Sequence, residues 1–189
     1  MEQHTHIILL TEAESMLKRD REGAQELLKI LESQEKTLIF DSFTNEDALA
    51  LGNILADLTK DVPMPITIRI FLDDIIVYQY TMKGDEETRF GWTYRKYQLI
   101  KKTGHSSMHG KVRAMFLDEL QDMYAQTDVY GFGCGGVPIK IKTDGIIGAA
   151  TISGLPDPAD HLYVIKGMEK MLGVKAPQIP DEIDETWIN

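Results

Sequence analysis

The side chains best suited to chemistry are few and scattered. His105 and His109 stand four residues apart, which puts both on one helix face, as a pair of metal ligands requires. A metal site needs three or four ligands, however, and no acid lies between the two. Ser106 and Ser107 beside them read equally well as helix caps, so no metal is expected. Cys134 is the only cysteine. It acts as a nucleophile only if a base reaches it in space, and otherwise it is a small buried apolar residue. The glycine-rich run from Gly131 to Gly136 invites a phosphate-loop reading. Such a loop needs a strand before it and a helix N-terminus after it. Here Pro138 and a strand pattern follow, and the Lys-Ser/Thr pair of a nucleotide loop is missing, so close backbone crossing is the plainer reading.

The strongest pattern is one of charge. From Thr88 to Leu117 there is no Asp or Glu, yet Arg89, Arg95, Lys96, Lys101, Lys102, Lys111 and Arg113 fall there with Trp92, Tyr94 and Tyr97 among them. Two readings stay open. One is a concave, aromatic-walled site for a carboxylate or phosphate, with Trp92, Arg95, Lys96, His105 and Ser107 as its ligand-binding residues. The other is a cationic face paired with acids of another segment or subunit.

The composition limits the partners. A net charge of −10 disfavours nucleic acid, whose binding needs a basic surface to displace counterions, and disfavours anionic lipid. No run approaches the ~20 apolar residues of a membrane span. With one cysteine no intrachain disulfide forms, so a cytoplasmic location is expected. At 189 residues and 43% hydrophobic, the chain has enough apolar surface for one cored domain.

The elements that must position these residues follow from periodicity. Residues 12–35 read as a helix with a break near Gly23, and Thr37 to Asp41 as a short buried strand. Thr44 with Asp47 makes a capping box for a helix carrying Ala48, Leu51, Leu55 and Leu58. Ile66, Ile68 and Ile70 alternate with polar residues, and Asp73-Asp74 turns the chain into a strand from Ile75 to Met82. Residues 88–102 and 107–124 read as two helices. Val137 to Thr143 and Ile146 to Ser153 read as a hairpin through a type I′ turn at Asp144-Gly145. Asp157 is expected to cap the last helix, with Pro158 at its first position, Asp160 opposing its positive end and Gly173 just past its end. The sum is an α+β fold, one mainly antiparallel five-stranded sheet packed with helices. The expected organisation is an N-terminal extension at 1–22, a domain at 23–173 and an acidic tail at 174–189.

Several blocks then resemble one family. These are Phe43…Asp47-Ala48…Leu51-Gly52, Trp92 with Arg95-Lys96, His105-Ser106-Ser107, Gly135-Gly136-Val137-Pro138-Ile139, Gly145-Ile-Ile-Gly148, Thr151-Ile-Ser-Gly-Leu-Pro156 and Asp160-His161. Together they resemble the uncharacterised branch of the GlcG-like haem-degrading family over roughly residues 24–173. The resemblance implies a profilin-like sandwich, assembly into a homo-oligomer, and haem or a related tetrapyrrole as a candidate ligand; it implies no set reaction. It also marks Gly135, Gly136, Pro138, Asp160 and His161 as structural motif residues. Gly133 stands where the family pattern often carries histidine, so any contact from that side chain is absent here. The functional expectation is a binding protein for a small anion or tetrapyrrole. The alternative is an oligomeric adaptor or proteostasis protein.

Overall fold

The computed structural model describes residues 21–85 and 91–180. Helix α1 (Arg21–Thr37) leads into the two-residue strand β1 (Ile39–Phe40). It runs unbroken through Gly23, while the expected helix before residue 21 lies outside the described residues. Helix α2 (Asn45–Leu58) starts at the predicted box: the Thr44 hydroxyl accepts from the Asp47 amide, and the Asp47 carboxylate accepts from the Thr44 amide. Strands β2 (Thr67–Leu72) and β3 (Ile75–Thr81) form a hairpin whose two loop residues, Asp73 and Asp74, both have positive φ (46° and 68°). That is the type I′ geometry, so it occurs here and not at the second hairpin.

Two further helices, α3 (Trp92–Thr103) and α4 (Ser107–Phe116), are separated by Gly104, left-handed at φ 76°. The predicted helix to residue 124 stops at Phe116, because Asp118 and Leu120 take positive φ and turn the chain. Only the short α5 (Gln121–Tyr124) resumes. Strands β4 (Gly136–Ile141) and β5 (Gly145–Ser153) then pair antiparallel. Their connection is residues 142–144, with Gly145 at φ 74°. It is a three-residue loop closed by a left-handed glycine, not the expected two-residue turn. Helix α6 (Ala159–Leu172) ends at Gly173, left-handed at φ 68°.

The sheet order is β1-β4-β5-β2-β3. Every pairing is antiparallel except β1 with β4, so the sheet is mixed and mainly antiparallel, within the α+β class the sequence predicts. Because side chains alternate across a sheet, each face has its own core. Ile68, Ile70, Val137, Ile139, Ala150 and Ile152 meet α2 and α6 on one side. Phe71 and Ala149 meet Tyr97 and Ile100 of α3 on the other, the rings of Phe71 and Tyr97 stacked at 4.4 Å. The small residues of β5 allow this close fit: a Cβ on Gly148 would stand 1.9 Å from the Phe71 carbonyl oxygen. Helix α1 packs on α4 through Leu27, Leu31, Met108 and Val112, joined by Ile179 of the C-terminal segment. Residues 174–180 therefore lie on their own chain, while Asp181 to Glu185, read as part of an acidic tail, lie outside the described residues.

Candidate functional site

Trp92 and Lys96 lie one turn apart on α3, which turns both toward the loop at 131–135 and the segment joining β5 to α6. Between these three elements is a cavity of about 220 Å³, lined by Trp92, Lys96, Gly133, Ser153, Gly154, Leu155, Asp157 and Asp160. Lys96 is only 2% exposed. A buried ammonium requires partners, and Lys96 donates to the Asp160 carboxylate at 2.9 Å and to the Ile152 carbonyl at 2.7 Å. An ammonium carries three donors, and these two bonds account for two of them. Burial raises the Asp160 pKa, and Lys96 opposes that rise. The other Asp160 oxygen accepts from the Leu155 amide at 3.1 Å, which fixes the loop above the cavity.

Asp157 was expected to cap α6. Its oxygens instead accept from the Cys134 amide at 2.8 Å and the Lys111 ammonium at 2.6 Å, and Pro158 takes the cap position. Burial draws the Lys111 pKa down, but the adjacent Asp157 outweighs it and the net movement is upward. The Cys134 thiol is fully buried, and burial raises its pKa well above the ordinary thiol value. It is therefore a poor nucleophile, in line with the packing role.

The other singled-out residues are distributed as follows. Arg95 lies on the Trp92 ring, its guanidinium carbon 4.3 Å from the ring centre, and donates to the Thr127 carbonyl. It also accepts at its carbonyl from the Gly131 amide at 3.0 Å, so it fastens the 117–135 segment to α3 and does not line the cavity. Ser107 accepts from the Gly136 amide at 2.9 Å, close beside Lys96. His105 faces Glu35 at 3.1 Å and stacks on His109 at 4.0 Å between ring centres. Glu35 is a junction: it also accepts from the Ser106 amide at 2.7 Å and the Lys140 ammonium at 2.8 Å. Burial pushes its pKa up, but the donations from His105, Lys140 and Ser106 prevail and hold it at about 2. His161 is fully buried against Gln34 at 2.9 Å, and desolvation lowers its pKa to about 4. Gly135 has φ +103°, and a Cβ there would come within 2.4 Å of Asp160. Pro138 sits opposite Ala149, beyond the Lys140–Ile141 stretch that β1 covers, an edge setting where a missing N–H costs a strand least.

Four described members of the basic island are paired with acids outside it but within the same chain: Lys96 with Asp160, Lys101 with Asp74, Lys111 with Asp157, and Arg113 with Glu119. Arg89 lies outside the described residues. Asp157, Ser153, Gly154 and Leu155 were not foreseen as site residues. Their signal was position, since a loop from a strand end to a helix start is where α/β proteins gather binding groups.

A mixed sheet between helix layers, with a small polar cavity at the β5–α6 junction, is the class of protein that these features define. The family model described as haem degrading protein HbpS-like matches residues 43–169, and the chain belongs to that family. A UPF0303 protein of Streptomyces coelicolor is 30% identical over 145 residues, 76% of this chain and 92% of the relative. One of Psychromonas ingrahamii is 31% identical over 147 residues, covering 77% and 92%. Among solved structures, that of the Ybr137w protein aligns with TM-score 0.70 at 24% identity, covering 84% of this chain and 92% of that one. HbpS aligns with TM-score 0.54 at 14% identity, covering 69% and 90%. These two likenesses support the fold. Among the described residues no helix is long and apolar enough to cross a membrane, and no group of three or more His, Cys, Asp or Glu side chains could hold a metal ion.

Proposed function

We propose that the protein binds a small monoanionic ligand in the cavity beside Trp92 and Lys96. The observation that carries this reading is the buried Lys96, which lines the cavity and whose ammonium uses two of its three donors within the protein. Charge supports a single negative charge on the ligand. Two ion pairs, Lys96 with Asp160 and Lys111 with Asp157, balance each other beside the cavity, so it suits no more than one negative charge. Size supports a small molecule, because about 220 Å³ falls below the ~300–1,000 Å³ of pockets for drug-sized ligands. Haem, named in the family's description, fits this cavity poorly. It is too small to enclose the macrocycle, and its lining residues include no His, Cys, Met or Tyr to serve the iron. The proposal therefore does not run through haem. Nor does it include a reaction, since the wall offers no free nucleophile paired with a base.

Assembly of identical subunits belongs to the same proposal. The observation favouring it is the outer strand β3, charge-free from Ile75 to Thr81, with Ile75 64% and Tyr80 40% exposed. A strand of this kind suits contact with a second copy in a chain of strong net charge. A cytosolic setting completes the reading, and fractionation of cells expressing the tagged protein checks it. Native mass spectrometry of protein purified without denaturation, beside calorimetry with a panel of monocarboxylates, tests binding and assembly together. A bound mass or a saturable titration is expected. No retained mass and no heat across the panel would refute the binding reading, and a monomer mass at micromolar concentration would refute assembly.

A further inference from the structure

The glycines from 131 to 136 differ in what they do. Gly131, Gly135 and Gly136 are required by packing. A Cβ on Gly131 would stand 2.9 Å from the Lys96 backbone nitrogen, and one on Gly135 would stand 2.6 Å from the Ile152 carbonyl oxygen in a left-handed conformation. One on Gly136 would meet Ile100 and the Ser107 hydroxyl at 3.0 Å. Gly133 is under no such constraint. Its φ is not left-handed, and the nearest atoms a Cβ there would meet are the Lys96 side chain at 3.3 Å and the edge of the Trp92 ring at 3.6 Å. The first contact is with the Cε beside the ammonium that Asp160 and the Ile152 carbonyl hold, which would have to give by a few tenths of an ångström, and the second is ordinary van der Waals contact. The backbone can carry a side chain here, so the fold does not explain the glycine.

The consequence of its bareness is a slot. Gly133 lines the cavity together with Trp92 and Lys96, and both are the nearest neighbours of its absent Cβ. One wall of the slot is the edge of the Trp92 indole, whose ring carries Arg95; the other is the stem leading to the ammonium. Any side chain at 133 would fill the gap between them. We infer that Gly133 is a specificity-determining residue, and that the slot it opens admits a flat aryl carboxylate, its ring against Trp92 and its carboxylate on the third Lys96 donor. This deepens the binding reading above and rests on it. A ring is selected because aromatic pairs also meet edge to face, which an indole edge allows. A carboxylate is selected over a phosphate because Lys96 is a point donor with one N–H to give. A second negative charge would face Asp157 and Asp160 on the same wall.

The test uses the full chain with benzoate, cyclohexanecarboxylate and inorganic phosphate as probes, read by calorimetry. Gly133→Ala and Gly133→Val are compared with the wild type, and thermal melts report folding. Benzoate should bind the wild type more tightly than either other probe. Gly133→Val should lose at least about tenfold in benzoate affinity, a change of ~1.4 kcal/mol, with Gly133→Ala between. Should Gly133→Val fail to fold, Gly133→Ala alone carries the test, and an unchanged benzoate affinity in it overturns the inference. Equal benzoate affinity in wild type and a folded Gly133→Val likewise overturns the role of Gly133 while leaving the binding reading standing. Cyclohexanecarboxylate matching benzoate overturns the aromatic class, and phosphate surpassing it overturns the carboxylate. Failure of the wild type to bind any of the three overturns both this inference and the monoanion reading beneath it.

Discussion

Lys96→Met should destabilise the protein by about 3–5 kcal/mol, the cost of leaving one partner of a buried ion pair uncompensated. The structure bounds the figure. The Lys96 and Asp160 side chains are each 3% exposed, so only water in the cavity they line could take the place of the lost ammonium. Asp160 would keep only the Leu155 amide as a hydrogen-bond donor. Its cheapest escape is to become neutral. Holding neutral at pH 7 a carboxyl whose ordinary pKa is 3.8 costs about 4 kcal/mol, which caps the electrostatic part. The orphaned Ile152 carbonyl adds about 1 kcal/mol. The pH dependence has a definite sign. A carboxyl whose folded pKa is raised takes its proton in the native state first, so the deficit of Lys96→Met should shrink as pH falls from 7 toward 4. Urea unfolding followed by circular dichroism at pH 7 and pH 5 reads both effects. The double variant Lys96→Met, Asp160→Leu should recover part of the loss, since it removes the stranded charge. A single variant within about 1 kcal/mol of wild type, or a double variant as unstable as the single, would refute the reasoning.

Two further outcomes concern the contacts of α1. Glu35→Gln should cost about 3 kcal/mol at neutral pH, because a carboxyl held at about 2 instead of 4.5 contributes stability fully above its unfolded pKa and loses it as pH falls toward 2. Urea midpoints of the two proteins should therefore converge in acid. His161→Gln should flatten the loss of stability between pH 6.5 and 4. The buried imidazole, lowered from 6.5 to about 4, lets the unfolded chain take the proton first, and the glutamine does not titrate. A pH series of thermal melts checks this, and parallel profiles for the two proteins would count against it.

The fold was legible where local rules decide it. The Thr44–Asp47 box and the glycine stops at 104 and 173 depend on neighbours a few residues away, whereas β2, whose alternation reads as a half-buried strand, is buried at every position because it lies between β5 and β3 with helices on the sheet. Legibility failed where tertiary contacts override those rules. The stop of α4 at Phe116 has no glycine or proline at its end; it depends on Asp118 and Leu120 turning left-handed and on the Glu119 amide reaching back to the Arg113 carbonyl at 3.0 Å. Asp157 carries the sequence signature of a cap, yet two donors from α4 and the 117–135 segment draw its carboxylate away. Capping chemistry predicts what a side chain offers, while the nearest unsatisfied donor determines where it goes.

The acid-free stretch from Thr88 to Leu117 shows the same division at the level of charge. Counted along the chain, its cations lack partners. In space, Lys96 meets Asp160 from 64 residues away and Lys111 meets Asp157 from 46. Segregation in sequence has become pairing between elements: α3 and α4 supply the ammonium groups, and the β5–α6 junction supplies the carboxylates. That arrangement offsets the repulsion without a bound anion, so repulsion alone is no argument for a ligand. What argues for one is geometric. Asp157 accepts from the Cys134 amide and Lys96 lies beside Gly133, so this loop touches a member of each pair and carries one residue whose φ does not require glycine. A basic surface for a large anion would leave several cations unpaired. Here four of the described cations are paired with acids, and on the reading proposed above the specificity of the site depends on what can reach Lys96 past Gly133.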